Sequence, residues 1–328
     1  MKASIVPAKN QKWQIKDLPQ PEPGPNQVLI KVRASGICYT DVHQTRGELP
    51  GEFPRTLGHE PVGQIVAVGV GVRGRKVGDR VGVPWIQASC MRCEWCLRGK
   101  PMFCAEQIGT STNIAGGHAE YMLAFADATV PLPDAVSDEQ AAPIFCAGYT
   151  VYSGLRWAQP EPRETVAVVG IGGLGHLAVQ YAKAAGFKTV AITHSPDKET
   201  LAKQLGADEV VKDGKSLAKL GGADVILGTS NSADAMADAI QGLRPDGRFV
   251  LMGFEAKNLS VSPADLIMKR IRILGSQQNR RDYLYEALDF VAQGKVKVMT
   301  ETYPFDQVQQ AYERVEQGKA RFRAVLTF

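Results

Sequence analysis

The sequence predicts an α/β protein in two parts: a partly closed β-barrel and a doubly wound parallel sheet. Three observations carry that expectation. Residues 1–124 are a series of short β-branched runs separated by Gly-rich turns. Between Thr165 and Thr193 a strand, a Gly-x-Gly-x-x-Gly turn, a helical pattern and a second strand follow one another. From there strands and helices alternate as far as Gly275, which is the order of a doubly wound sheet.

At 328 residues the chain exceeds what one core usually serves, so two domains are expected. The net charge of +4 is small for this length and gives no reason to expect nucleic acid or an acidic membrane surface as a partner. No apolar run approaches the roughly 20 residues needed to cross a bilayer. Residues 1–7, MKASIVP, lack a signal-peptide core and read as a short first strand. A cytoplasmic location is therefore expected. In that reducing compartment six cysteines point to metal binding or catalysis before disulfides.

In the first part, residues 28–32 (VLIKV) follow the segment PQPEPGP, which cannot be helical. Further strands are expected at 63–68 and 80–83, with turns at Gly69-Val70-Gly71 and Gly78-Asp79. The stretch from Ser35 to Glu60 holds Cys38, Asp41, His43, His59 and Glu60. Zinc takes Cys sulfur and His nitrogen, and a catalytic zinc keeps one position open. Cys38 and His59 are the first two candidate ligands, and Cys146 in Ile144-Phe145-Cys146-Ala147-Gly148 is the best candidate for the third.

Cys90-Met91-Arg92-Cys93-Glu94-Trp95-Cys96 comes next, with Cys104 after a gap of seven residues. Four thiolates close a tetrahedral zinc site with no open position, so this zinc is structural. An iron–sulfur cluster or two disulfides are the alternatives, but the ferredoxin pattern has a shorter final gap followed by Pro, where this chain has Ala105. Such an ion braces a loop with little core of its own.

In the second part, residues 165–169 (TVAVV) form a continuous apolar run, as a strand buried on both faces should. It enters Gly170-Ile171-Gly172-Gly173-Leu174-Gly175, and residues 176–186 then follow a helical pattern. The glycines permit a tight turn and close approach of a pyrophosphate to the helix N-terminus. Strands are expected at 189–193, 209–211, 223–228, 248–253 and 271–275. Helices are expected at 201–205, at 233–243 closed by Pro245-Asp246-Gly247, and at 283–293. The tail, 321–328, is expected to return to the first domain.

Together these features resemble the zinc-dependent alcohol dehydrogenases of the medium-chain dehydrogenase/reductase superfamily. The resemblance spans essentially the whole chain. It rests on Gly36-Ile37-Cys38-Tyr39-Thr40-Asp41, Gly58-His59-Glu60, the four-Cys lobe, Cys146-Ala147-Gly148-Tyr149-Thr150 and the glycine loop, in the family's order. It implies a GroES-like catalytic domain at 1–148 with the structural lobe at about 89–105. A Rossmann domain at 149–276 and a returning segment at 277–328 complete the expected division.

The resemblance further implies two zinc ions per chain. Cys38, His59 and Cys146 hold the catalytic one, with Glu60 able to approach it during ligand exchange. Asp41 orients His59, and Thr40 and His43 form a proton relay. Arg323 matches a pyrophosphate contact, with a surface charge as the alternative. Leu49, Trp85 and Ile86 fall where relatives line the substrate cleft. His118 and His176 are read as structural or surface groups.

For the cofactor, NAD enzymes usually carry Asp or Glu at the end of the second strand. Here that end reads Ile192-Thr193-His194-Ser195-Pro196-Asp197-Lys198. The hydroxyls of Thr193 and Ser195, with Lys198 and His194, suit a 2′-phosphate. The segment resembles the cinnamyl-alcohol-dehydrogenase-like branch, so NADP is favoured, with NAD as the alternative. The expected substrate is a primary or aromatic alcohol, or the matching aldehyde, and the expected assembly a homodimer or homotetramer. The competing readings are a zinc-free quinone-reductase-like relative, glutathione-dependent formaldehyde oxidation, and a non-enzymatic NADP-binding redox sensor.

Overall fold

The computed structural model describes all residues, 1–328. The chain forms two compact units, one of Met1–Cys146 with Val298–Phe328, the other of Ala147–Lys297. This differs from the expected division. The return to the first unit begins at Val298 and not at 277, because the Arg281–Ala292 helix buries Tyr283, Leu284, Ala287, Leu288 and Val291 within the second unit.

The first unit is built on a seven-stranded sheet. Its path runs Thr300–Pro304, Arg323–Thr327, Gln27–Ile37, Glu60–Val68, Arg80–Gly82, Val130–Pro131, and Tyr121–Phe125 also pairs with Gln27–Ile37. The path is open, and no strand pairing closes it into a full barrel. Gln27–Ile37 is the longest strand because it has neighbours on both sides, and register shifts after Leu29 and Val32 bend it. Val28, Ile30, Val32, Ile65, Val81, Val83, Met122 and Ala124 fill one core. Each such aliphatic side chain contributes roughly 1.5–3 kcal/mol by leaving water. A second core, including Trp13, Ile37, Val42, Leu57, Tyr312, Ala324 and Leu326, joins the chain's two ends behind the Tyr39–Thr45 helix. The Val308–Glu316 helix on this core, and the strand Thr300–Pro304, were not anticipated.

The second unit is a six-stranded, all-parallel sheet. Its order is Glu209–Val211, Lys188–Ile192, Thr165–Val169, Ala223–Gly228, Leu243–Leu251, Arg272–Gly275. The order reverses at Thr165–Val169, the position where doubly wound sheets open a ligand crevice. One expected boundary moves. The helix at 233–243 ends at Ile240, and Pro245-Asp246-Gly247 lies inside the strand Leu243–Leu251. The pairing register shifts there and Asp246 is left-handed at φ 62°, so the turn residues bulge the strand instead of closing the helix. Three helices went unpredicted: Ala147–Trp157, Gly214–Lys219 and Pro263–Lys269. No helix of the chain is long and apolar enough to cross a membrane.

Candidate active site

The Gln27–Ile37 strand delivers Cys38 to the start of the Tyr39–Thr45 helix. There the Cys38 N–H donates to Asp41 Oδ2 at 2.8 Å, closing the helix's first turn. Asp41 Oδ1 accepts from the Gly58 N–H at 3.3 Å and lies 3.5 Å from His59 Nδ1. One fully buried carboxylate therefore ties the helix to the loop carrying His59 and aims the imidazole. Gly58 has φ 101°, and a Cβ there would stand 2.6 Å from His118 Nδ1, so both backbone and space require glycine.

Glu60 begins the next strand, opposite Gly36. A Cβ on Gly36 would lie 2.0 Å from Glu60 Oε2, so the carboxylate occupies the room that the missing side chain leaves. Cys146 follows the Ala142–Phe145 turn. That turn is seated by Phe145, whose ring covers Gly82 so closely that a Cβ would come within 2.1 Å.

These elements converge. Cys38 Sγ and Cys146 Sγ are 3.8 Å apart. With a His59 nitrogen and a Glu60 oxygen, all four ligand atoms lie within 4.8 Å of one another. Trp85 meets the His59 ring edge-on at 5.1 Å. Thr40 Oγ1 lies 3.5 Å from Cys38 Sγ, and His43 Nδ1 is 2.5 Å from Glu48 Oε2. Leu49 is half-buried in the loop after Glu48, and Ile86, also half-buried, opens the strand Ile86–Ala88.

Arg323 is not on the surface. It is 6% exposed and its guanidinium pairs with Glu60 Oε1, which excludes the surface-charge alternative and engages it with the metal-site carboxylate. His118 and His176 are both fully buried, so neither is a surface group. His176 Nδ1 lies 3.1 Å from Gly172 O. His118 Nδ1 lies 3.0 Å from Ser35 Oγ, its Nε2 is 3.9 Å from Asp41 Oδ1, and Trp13 covers its ring at 5.3 Å. Sequence reasoning missed Ser35, Glu48 and the link from His118 to Asp41. His118 follows Gly116-Gly117, and nothing in that spacing names a partner 77 residues away.

The electrostatics suit a cation. Contact with Cys146 holds the Cys38 thiol well below its ordinary value against the cost of burial, helped by His59 and Arg323. Cys146 is correspondingly raised by its contact with Cys38 and by burial. Burial pushes Glu60 up to about 7, although Arg323 opposes it. Neither His59 nitrogen, nor Glu60 Oε2, has a hydrogen-bond partner, although all are buried. Unsatisfied buried polar atoms cost about 1–3 kcal/mol each, and a divalent ion at this point would satisfy Glu60 Oε2 and one imidazole nitrogen, the Nδ1 side of the ring facing Asp41. Zinc–sulfur bonds of about 2.3 Å in a tetrahedron put two sulfurs about 3.8 Å apart, as found here. The donor set fits zinc.

Cys90, Cys93, Cys96 and Cys104 form a second group whose sulfurs lie within 4.8 Å of one another, and all six cysteines are free thiols. Backbone N–H groups of Cys93 and Cys90 point at Cys90 Sγ and Cys104 Sγ, at 3.3 and 3.5 Å. Such donors favour thiolates, and N–H bonds from Arg92 and Cys93 bring Cys90 down to about 7. Around this cluster Met91, Leu97 and Phe103 are exposed, so the lobe has little apolar core. Four sulfurs with no open position fit a structural zinc.

In the second unit the Thr165–Val169 strand ends at Gly170, with φ 89°, and the Gly175–Ala184 helix follows. A Cβ on Gly175 would come within 1.9 Å of Gly170 O, whereas one on Gly172 would meet nothing. The last glycine lets helix and turn pack, and the middle one leaves open backbone that a phosphate can approach. Gly173 and Leu174 complete the turn, Leu174 as the helix cap. Beyond the next strand, Thr193 Oγ1 accepts from the Ser195 N–H at 3.3 Å. Ser195 caps the Pro196–Gln204 helix, Lys198 is half-buried in its first turn, and His194 is exposed. No carboxylate ends this strand.

Comparison with known proteins gives a consistent result. A family model described as "Alcohol dehydrogenase GroES-like domain" matches residues 24–134, and one described as "Zinc-binding dehydrogenase" matches residues 173–293. An alcohol dehydrogenase of Geobacillus stearothermophilus is 40% identical over 334 residues, covering 99% of both chains. Among solved structures, a cinnamyl alcohol dehydrogenase from Sorghum bicolor superposes with a TM-score of 0.91 at 31% identity, covering 99% of this chain and 97% of that one. A cinnamyl-type enzyme from Helicobacter pylori, complexed with NADP(H), gives 0.90 at 27% identity over 99% and 97%.

Proposed function

The chain belongs to the zinc-binding alcohol dehydrogenases with a GroES-like domain, and from that premise we propose how its own residues oxidise an alcohol. It is an alcohol dehydrogenase that works with zinc and a nicotinamide cofactor on small alcohols and aldehydes. Cys38, His59 and Cys146 would hold a catalytic zinc, and Cys90, Cys93, Cys96 and Cys104 a structural one. Zinc, when bound, makes a hydroxyl easier to ionise, and the cofactor carries the hydride.

The protein's part is orientation and proton movement. Asp41 aims His59, and the Glu60–Arg323 pair sets the charge beneath the ligands. Thr40 and His43 are three residues apart on one helix, hence on one face, and lead the hydroxyl proton outward. Trp85 presents an apolar wall beside His59. The observation that carries this reading is the meeting of two sulfurs and a buried imidazole nitrogen within 4.8 Å. A zinc-free reductase has no use for such a set.

NADP as the preferred cofactor is part of the proposal. Its support is Thr193 in place of a carboxylate, with Ser195 and Lys198 beside it. So is a homodimer or homotetramer, supported by exposed Ile273 on the sheet's edge strand, Arg272–Gly275, and exposed Ile267 and Met268 on the Pro263–Lys269 helix before it. A panel of primary, secondary and aromatic alcohols and aldehydes against both cofactors tests the reading. We expect turnover favouring NADP, and Thr193→Asp should move the ratio of kcat/KM values toward NAD by tenfold or more, roughly 1.4 kcal/mol. An unchanged ratio would remove the NADP assignment.

A further inference from the structure

The helix that carries Thr40 and His43 ends in a way that brings one more side chain to the relay. Arg46 caps the end of the Tyr39–Thr45 helix and Gly47 turns left-handed at φ 63°. The Gly47 N–H then donates to Gln44 O at 3.1 Å, and the Glu48 N–H reaches back to His43 O at 2.9 Å. These crossed bonds are a Schellman motif, which places the residue after the glycine against the residue five before it. That contact is commonly apolar. In this chain it joins His43 and Glu48, with His43 Nδ1 2.5 Å from Glu48 Oε2.

Exposure divides the pair. The His43 side chain is 13% exposed and that of Glu48 46%. The bond from His43 lowers the Glu48 carboxyl below its ordinary value, with Arg46 and Lys9 adding positive charge nearby. Tyr39 meets the His43 ring edge-on at 5.0 Å. An ionised carboxylate only accepts, so the hydrogen sits on Nδ1, and in the neutral ring Nε2 keeps its lone pair.

We propose that Glu48 is a positioning residue of the alcohol dehydrogenase reaction: it fixes His43 as the Nδ1–H tautomer and takes the outgoing proton from it to water. This rests on the reading of His43 as a proton carrier. As Nε2 receives the alcohol's proton from the Thr40 side, the Nδ1 proton passes to Glu48 Oε2 and then to solvent. One proton leaves for each alcohol oxidised, and no electrons move along this path.

The test is rapid mixing of the zinc-loaded enzyme with benzyl alcohol and oxidised cofactor, with proton release followed by an indicator dye. Glu48→Gln keeps the shape but loses the charge. It should slow proton release about tenfold while leaving KM for the alcohol unchanged. Added formate or imidazole buffer should restore the rate, and Glu48→Asp, which keeps a carboxylate, should retain most of it. His43→Ala should be slow, and adding Glu48→Gln to it should slow it no further. A mere helix cap would show no buffer rescue. If Glu48→Gln releases protons at the wild-type rate, or is slow without rescue, while His43→Ala is slow, the role of Glu48 is overturned and the relay stands. If His43→Ala is also as fast as wild type, the relay reading falls and the proposal falls with it.

Discussion

Asp41 receives the Cys38 and Gly58 N–H groups and faces two imidazoles, His59 at 3.5 Å and His118 at 3.9 Å. These have opposite tendencies. His59, next to Asp41 and Cys38, is raised well above its ordinary value despite burial. His118 is pushed by burial from 6.5 down to about 4. Below pH 6.5 the unfolded chain therefore binds a proton that folded His118 refuses. Its contribution to stability is intact above 6.5 and is lost as the pH falls toward 4. The loss approaches about 3 kcal/mol. Denaturant titrations at pH 7 and pH 4.5 should show that His118→Phe loses less stability on acidification than the wild type, even though it starts lower for want of the Ser35 bond. Equal losses would mean that His118 is not the group responsible. Cys38, His59 and Asp41 were legible in sequence because zinc chemistry restricts residue types at short spacing. His118 and Arg323 were not, because burial and partners 77 and 263 residues away are properties of the folded chain.

At the scale of elements, local chemistry was readable where backbone geometry demands a particular residue. The Thr165–Val169 strand and the turn after it follow from β-branched residues and from Gly170 and Gly175, which no side chain can replace. The Pro245-Asp246-Gly247 segment was misread because the same residues stop a helix or bulge a strand, and pairing with Ala223–Gly228 decides between them. The Arg281–Ala292 helix was seen, but not its side of the boundary, since an apolar face does not say what it packs on. The four-Cys lobe lies at the other extreme, with sulfur in place of core. Cys93→Ser should lower its metal content and the melting temperature more than it lowers the chemical step of the folded fraction. A fully metallated, equally stable variant would remove the structural assignment.

Over the whole molecule, the proposed metal centre draws on the beginning, middle and end of the first unit. Cys38, His59, Cys146 and the Arg323 that pairs with Glu60 all belong to it, and the glycine turn belongs to the other. The division of labour lets the two functions be separated by mutation. The most direct measurement is zinc content, alcohol oxidation and cofactor binding on one preparation of Cys38→Ala. The account predicts that zinc falls from two per chain to one and that turnover is lost, while cofactor affinity stays within about threefold of wild type. Undiminished zinc with continued alcohol oxidation would contradict it.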